Sequence, residues 1–191
     1  GLYRKVALRL TDQVHFAHHG LFVTTPKVGA DSARVLIVAE CENHRDAPVT
    51  GNFEVEILDP QGGTATQATR VATFPPGGSA VSLELEVLDP QLWDVGVGKL
   101  YSLRASLKCD EGSRDEVVEE FGIRTIELTD DDGLHVNGRR VQLHGVNLHH
   151  DHGPLGAAFF PHAMERQLLI LIDMGVNAIR TSHNPPAEEL L

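Results

Sequence analysis

The sequence is poor in basic residues, in cysteine and in long apolar runs. Its 16 Lys and Arg residues stand against 27 Asp and Glu, and the formal net charge is −11 at pH 7. Binding to nucleic acid or to an anionic membrane depends on patches of Lys and Arg, so this balance argues against both partners. No run approaches the ~20 apolar residues that span a bilayer.

The start of the chain also lacks a methionine and the apolar core of a signal peptide. We therefore expect an internal piece of a longer chain whose signal region is not included. The compartment stays open between cytoplasmic and periplasmic or secreted.

From Leu21 onward the sequence is made of short β-rich runs separated by turn clusters. The seven runs are Leu21–Val28, Ala33–Glu42, Gly51–Leu58, Ala65–Phe74, Ala80–Val87, Lys99–Lys108 and Val117–Ile126. Within them apolar and polar residues alternate, as a sheet with one face in water requires. Seven strands over about a hundred residues are typical of an immunoglobulin-like β-sandwich. The predicted fold class is therefore mainly β.

Two cysteines, Cys41 and Cys109, allow one disulfide at most. Both lie on the apolar face of a predicted strand, so both should point into the sandwich. We favour two buried free thiols, because unpaired cysteine is commonly buried as a small apolar side chain. A disulfide is the alternative. The single tryptophan, Trp93, is interpreted as a packing anchor in preference to a sugar platform.

The C-terminal third predicts a strand, a helix and a second strand. The strands are expected over Val141–Val146 and Val176–Thr181, and the helix over His162–Met174 with the apolar stripe Met164, Leu168, Leu171 and Ile172. This order predicts a parallel βαβ unit, the start of an incomplete (β/α) barrel.

Polar residues lie at or directly after the end of each of these two strands. The first cluster contains Asn147, His149, His150, Asp151 and His152, and the second contains Arg180, Ser182, His183 and Asn184. In a right-handed crossover both strands point the same way, so both clusters should lie at the carboxyl edge, where such sheets build their sites.

Two segments, Leu143–His149 and Asn177–Pro185, resemble the start of the catalytic barrel of glycoside hydrolase family 2. That family includes β-galactosidases, β-glucuronidases and β-mannosidases. Its usual second motif is Asn-x-hydrophobic-Arg, two small residues and His-Tyr-Pro, and Asn184 replaces the tyrosine here. His150 stands where an acidic residue is common. The two motifs resemble a β-galactosidase branch more than the glucuronidase one.

The resemblance also implies a domain plan. Residues 1–18 are expected to close a preceding sugar-binding jelly-roll domain, with a leftover strand in Gly1–Leu10. Residues 19–126 would form the sandwich, and residues 127–191 the truncated N-terminal part of the catalytic TIM barrel.

Family 2 enzymes, as the resemblance implies, are retaining glycosidases with a glutamate acid/base and a glutamate nucleophile. Both glutamates should lie beyond Leu191, so we expect no catalytic residue and no hydrolysis in this piece alone. Carried over by position from this resemblance, His149 and His183 are expected to contact the sugar, and Arg180 is expected to hold a catalytic carboxylate ionised. Asn147, Asp151, Ser182 and Asn184 are supporting candidates; for Asn147 and Ser182, capping of a turn is an equal alternative.

Other interpretations stay open. A zinc site could use His144, His149, His150, Asp151 and His152, but His149 faces away from His150 and His152 on a strand, so we predict no metal and no cofactor here. Binding of a divalent or monovalent cation by the parent protein is left as an alternative. A non-catalytic sandwich that binds carbohydrate or protein is the alternative function. The expected partners are a carbohydrate substrate and, for the uncovered barrel strands, another copy or the rest of the parent chain.

Overall fold

The structure is a computed structural model that describes residues 4–149 and 151–190. His150 and the first three residues of the proposed jelly-roll segment lie outside the described residues. The chain forms two compact units: Leu10–Arg140 is one, and the described residues of 1–9 and 141–191 are the other. Among the described residues, no helix has the length and apolar character needed to cross a membrane.

The larger unit contains a sandwich of seven antiparallel strands. They are β1 (Val14–Val28), β2 (Ser32–Asn43), β3 (Val49–Leu58), β4 (Thr64–Phe74), β5 (Gly77–Leu88), β6 (Tyr101–Cys109) and β7 (Arg114–Phe121). One sheet has the order β1-β2-β5 and the other β4-β3-β6-β7. The prediction of a mainly β chain with an immunoglobulin-like sandwich is confirmed.

The first strand begins seven residues earlier than predicted. Val14–Phe16 pairs with the end of β2, the register then shifts, and pairing resumes at Leu21. Polar residues around His18 and His19 hide this continuity in the sequence, because a β-bulge breaks the simple alternation. The domain boundary predicted at residue 18 stays a prediction.

The core lies between the two sheets and contains every second side chain of β2 and β6. Phe16 of one sheet meets Phe53 of the other edge-on, with ring centroids 6.1 Å apart. Cys41 and Cys109 are both buried free thiols, in agreement with the favoured interpretation. Burial raises the pKa of the Cys41 thiol to about 12 and that of Cys109 to about 11.

A small sheet follows the sandwich in the same unit. Its strands are β8 (Ile126–Thr129), β9 (Gly133–Val136) and β10 (Arg139–Arg140). Asn137 connects it to the sandwich, because its Nδ2 donates to the Trp93 carbonyl at 2.9 Å and its Oδ1 accepts from Thr125 N at 3.0 Å. The Arg124 guanidinium lies 4.6 Å from the centroid of the Trp93 ring. Trp93 thus packs as an anchor. The boundary after residue 126 stays a prediction.

The smaller unit contains the predicted βαβ order. Strand β11 (Gly145–His149) pairs in parallel with β12 (Ala178–Ser182), and α1 (Pro161–Asp173) connects them. Residues 4–10, expected to form a strand, have no strand in the described part of the segment. That prediction is wrong for them.

Three members of the predicted helix stripe are at least half-buried, and the fourth is not. Met164 is buried, and Leu168 and Leu171 are half-buried. Ile172 is 65% exposed, so its place in the stripe is wrong. A sheet of two strands is too narrow to cover the whole apolar face of α1.

Candidate functional site

Two histidines meet at the carboxyl edge of the parallel pair. His149 is the last residue of β11, and His183 directly follows β12. Their ring centroids lie 5.5 Å apart with an interplanar angle of 72°, an edge-to-face arrangement. Both side chains are exposed. The structure therefore brings together the two histidines that the motifs single out.

Arg180 lies on β12 and is held by Ser182, which is two residues closer to the edge. The Arg180 Nη1 donates to the Ser182 Oγ at 3.1 Å, and Ser182 is only 3% exposed. In the parallel register Asn147 lies opposite Arg180, and His149 lies opposite Ser182. Because alternate residues of a strand share a face, these four side chains lie on one face of the pair.

Asp151 and Asn184 lie beyond the strand ends. The Asp151 N–H donates to the His149 carbonyl at 2.8 Å, and its Oδ1 accepts from the Gly153 N–H at 2.9 Å. Asp151 therefore caps the turn that follows β11. Asn184 is exposed directly after His183.

The histidine-rich segment does not assemble a metal-binding group in the part that the structure describes. His152 packs edge-on against Phe159, with ring centroids 6.1 Å apart. Among residues 4–149 and 151–190, one group of three His, Cys, Asp or Glu side chains has ligand atoms close enough to bind a single ion, and it lies in the sandwich. His150 lies outside the described residues.

Asn177, the first residue of the second motif, holds the two strands together. Its Oδ1 accepts from the His144 N–H at 2.7 Å, and its Nδ2 donates to the Gln142 carbonyl at 2.9 Å. These bonds use backbone groups of Gln142 and His144, directly before β11, which begins at Gly145 and not at the predicted Val141. An asparagine directly before a strand is the signal that could have indicated this role.

The edge is suited to binding more than to cleavage. Imidazole rings and a guanidinium can donate to hydroxyl or carboxylate oxygens. Retaining cleavage of a glycoside needs two carboxyl groups about 5 Å apart. Among the described residues Asp151 is the carboxylate next along the chain after β11, and its Oδ1 accepts a hydrogen bond in the turn. The cavity beside His149 has a volume of about 10 Å³, so a sugar would need further walls.

Comparisons with known proteins cover nearly the whole chain. The sequence model of glycosyl hydrolases family 2 matches residues 14–124, and that of the family's TIM barrel domain matches residues 126–191. A β-galactosidase of Bacteroides ovatus is 36% identical over 192 residues, which cover 100% of this chain and 23% of the relative.

Two solved structures extend this similarity. A family 2 glycosyl hydrolase of Bacteroides cellulosilyticus matches with a TM-score of 0.89 and 36% identity, over 94% of this chain and 25% of that one. A β-glucuronidase of Bacteroides uniformis, covalently bound to cyclophellitol-6-carboxylate aziridine, matches with a TM-score of 0.82 and 28% identity, over 94% and 23%. The chain thus spans about a quarter of the length of these proteins. It belongs to the glycosyl hydrolases family 2, of which it carries the sandwich domain and the first part of the TIM barrel.

Proposed function

We propose that this chain is part of a retaining β-glycosidase in which His149 and His183 contact the sugar in the cleavage subsite. The observation that carries the proposal is the edge-to-face pair of these histidines at the carboxyl edge. The two catalytic carboxylates are proposed to come from further barrel strands, because the chain spans about a quarter of its relatives. The 191 residues alone would then not hydrolyse a glycoside.

The histidines suit a site that must recognise hydroxyl groups. An imidazole ring offers two nitrogens in fixed directions, one a donor and one an acceptor in the neutral form. Hydrogen bonds to sugar hydroxyls that shorten as the ring distorts stabilise the transition state more than the ground state. An edge-to-face pair presents nitrogens in two different planes and can therefore contact more than one hydroxyl.

Arg180 is proposed to hold a catalytic carboxylate in its ionised form. Its positive charge is permanent, and its planar fork can bind both oxygens of a carboxylate. The contact with Ser182 fixes the guanidinium on the face that it shares with Asn147 and His149. A nearby cation lowers the pKa of a carboxylate, so Arg180 would keep it charged at neutral pH. Asn147, Asp151 and Asn184 are proposed to support the substrate site.

The proposed substrate is a terminal β-galactoside. The Bacteroides ovatus relative is named a β-galactosidase, and the strand-end motifs resemble that branch. A β-glucuronide is the second candidate, because the Bacteroides uniformis relative is named a β-glucuronidase; a β-mannoside is the third. Comparison of kcat/KM on 4-nitrophenyl β-galactoside, β-glucuronide and β-mannoside with the longer parent protein discriminates among them.

The site is tested by variants of the parent. His149→Ala and His183→Ala should each lower kcat/KM by about 10- to 100-fold, the loss expected for one transition-state hydrogen bond. His18→Ala, an exposed histidine of the sandwich, is the matched control. Activity equal to that of the unchanged parent in both site variants would contradict the assignment.

Arg180→Ala supplies a second readout. Loss of the cation should raise the pKa of the carboxylate, so the acidic limb of the kcat/KM profile should move to higher pH by about one unit. An unchanged limb would exclude the proposed role. If the parent cleaves no β-glycoside and the 191-residue chain binds glycans, the non-catalytic sandwich module is the better description.

A further inference from the structure

A second group of polar side chains lies in the sandwich, where it takes no part in the proposed glycosidase function. It consists of His15, Glu42 and His44, each of which offers one donor atom within 4.8 Å of the other two. The Glu42 Oε2 lies 3.1 Å from the His44 Nε2 and 3.8 Å from the His15 Nε2. We call this group the His-Glu-His cluster.

The pairing of β1 with β2 creates the cluster. His15 lies directly opposite Glu42 in the antiparallel register. The pairing continues past the end of β2, because the His44 N–H donates to the Gln13 carbonyl at 2.8 Å. Residues 42 and 44 are two apart and share a face, and opposite residues of paired strands share a face as well. The backbone thus brings all three side chains to one side.

A backbone hydrogen bond sets the tautomer of His15. Its Nδ1 lies 2.9 Å from the Asp12 carbonyl oxygen, which can only accept, so Nδ1 carries the proton. The Nε2 of the neutral ring is then an acceptor, and the nearest atom of Glu42 is also an acceptor, at 3.8 Å. Two acceptors at this distance do not make a hydrogen bond. Either a proton on Nε2 or a metal ion between the two atoms would join them.

The same bond is the support that metal-binding histidines usually have. A histidine ligand typically donates its other ring N–H to a carbonyl or carboxylate, which fixes the ring and the tautomer. Ligand atoms 2.0–2.2 Å from a tetrahedral Zn²⁺ are roughly 3.3 Å apart. The separations of 3.1 and 3.8 Å from Glu42 Oε2 lie on either side of that value.

We propose that His15, Glu42 and His44 bind one Zn²⁺ ion through Nε2, Oε2 and Nε2. Two imidazoles and a carboxylate are a ligand set that suits zinc, and three protein ligands leave a fourth position for water. The side chains of Glu42 and His44 are 44% and 61% exposed, so an ion can enter from solvent. His15, at 12%, forms the base of the site.

The ion would hold the beginning of β1 on β2. Before the register shift, β1 pairs with β2 through only three residues, Val14–Phe16. An ion bound by His15, Glu42 and His44 would link the start of β1 to the end of β2, in addition to these three residue pairs. Zinc should therefore raise the thermal midpoint of the sandwich, since a ligand that binds only the folded state stabilises it.

The test uses the 191-residue chain, freed of metal with a chelator and then titrated with Zn²⁺ by calorimetry. We expect one ion per chain and a rise in Tm, and Co²⁺ in place of zinc should give the visible absorption of a tetrahedral site. His44→Asn and Glu42→Gln should weaken binding by more than about 10-fold. Circular dichroism confirms that these exposed positions leave the fold intact.

His18→Asn is the matched control, because His18 lies on the same strand outside the cluster. It should bind zinc as the unchanged chain does. The proposal is overturned if His44→Asn binds zinc with unchanged affinity, or if His18→Asn or His149→Asn abolishes the binding. It is also overturned if titration of the unchanged chain with one equivalent of zinc gives no binding heat and no change in Tm. In the last case the cluster is an ordinary set of His–Glu ion pairs.

Discussion

Asn43, the last residue of β2, should be one of the most sensitive polar positions in the sandwich. It is 2% exposed. Its Nδ2 donates to the carbonyls of Ala47 and Phe74 at 3.0 and 2.9 Å, and its Oδ1 accepts from the Arg45 N–H at 2.9 Å. One amide therefore closes the turn after β2 and also ties it to the end of β4.

Asn43→Ala removes all three bonds and leaves two carbonyls and one N–H without these partners. At about 1 kcal/mol for each bond, the free energy of unfolding should fall by about 3 kcal/mol. Asn43→Asp keeps the acceptor for Arg45 but places a carboxylate oxygen beside two carbonyl oxygens, which repel it. At pH 7 it should therefore lower the free energy of unfolding by more than Asn43→Ala does. This loss should shrink as the pH falls, because burial raises the pKa of the introduced carboxyl and the protonated form can donate a hydrogen bond.

Urea unfolding followed by the fluorescence of Trp93 measures these changes, since Trp93 belongs to the same compact unit. A chelator keeps metal at His44 from contributing. Asn52→Ala on β3 is the matched control; Asn52 is exposed, and its removal should stay within about 0.5 kcal/mol. The reasoning is refuted if Asn43→Ala also stays within that range, or if Asn43→Asp is the more stable of the two at pH 7.

Three further predictions concern the core. The thiol of Cys41 should not react with Ellman's reagent at pH 8 before unfolding. Above pH 9 the free energy of unfolding should fall, because the thiol of the unfolded chain ionises with a pKa near 9.0, whereas burial raises the pKa of folded Cys41 to about 12. Cys41→Ala should lessen this fall. An equal fall in the variant would contradict the assignment to Cys41. Gly51→Ala should cost about 1–3 kcal/mol, because its Cβ would lie 2.8 Å from the Lys108 carbonyl oxygen, whereas Gly78→Ala, with nothing within 4 Å, should cost less. Tyr101→Phe should cost about 1 kcal/mol in urea unfolding, because the Tyr101 hydroxyl accepts from the Gln91 N–H at 2.8 Å; no change would show that water replaces it.

The sandwich could be predicted because its strands carry strict alternation. In β6 the apolar side chains of Leu103, Ala105 and Leu107 are fully buried and the residues between them are not. The start of β1 could not be predicted, since the bulge places His18, His19 and Gly20 where a simple strand would continue. A bulge depends on the partner strand, which a single run of residues does not reveal.

The sequence points to the residues of the candidate site, and their role in binding a sugar stays a prediction. Parallel pairing explains why His149 and His183 meet, and that follows from the order strand, helix, strand. The contact between Arg180 and Ser182 could be anticipated from their spacing on one face of a strand. The His-Glu-His cluster could not be predicted, because it depends on the register of β1 against β2 beyond the bulge. A slip of one residue would turn His15 to the opposite face.

Register is therefore the property on which both sites depend. In the barrel segment, a slip of one residue would replace Asn147 and His149 with Val146 and Leu148 on the face that carries Arg180. The bonds of Asn177 to Gln142 and His144 oppose that slip, because they fix the residues that precede β11 to the residue that precedes β12. In the sandwich, the bond from His44 N to the Gln13 carbonyl has the same effect on His15. In each case a hydrogen bond just outside the paired strands fixes the register, and the register decides which side chains share a face. Substitution of Asn177 should therefore change the arrangement of His149 and Arg180, although neither of these residues is itself replaced.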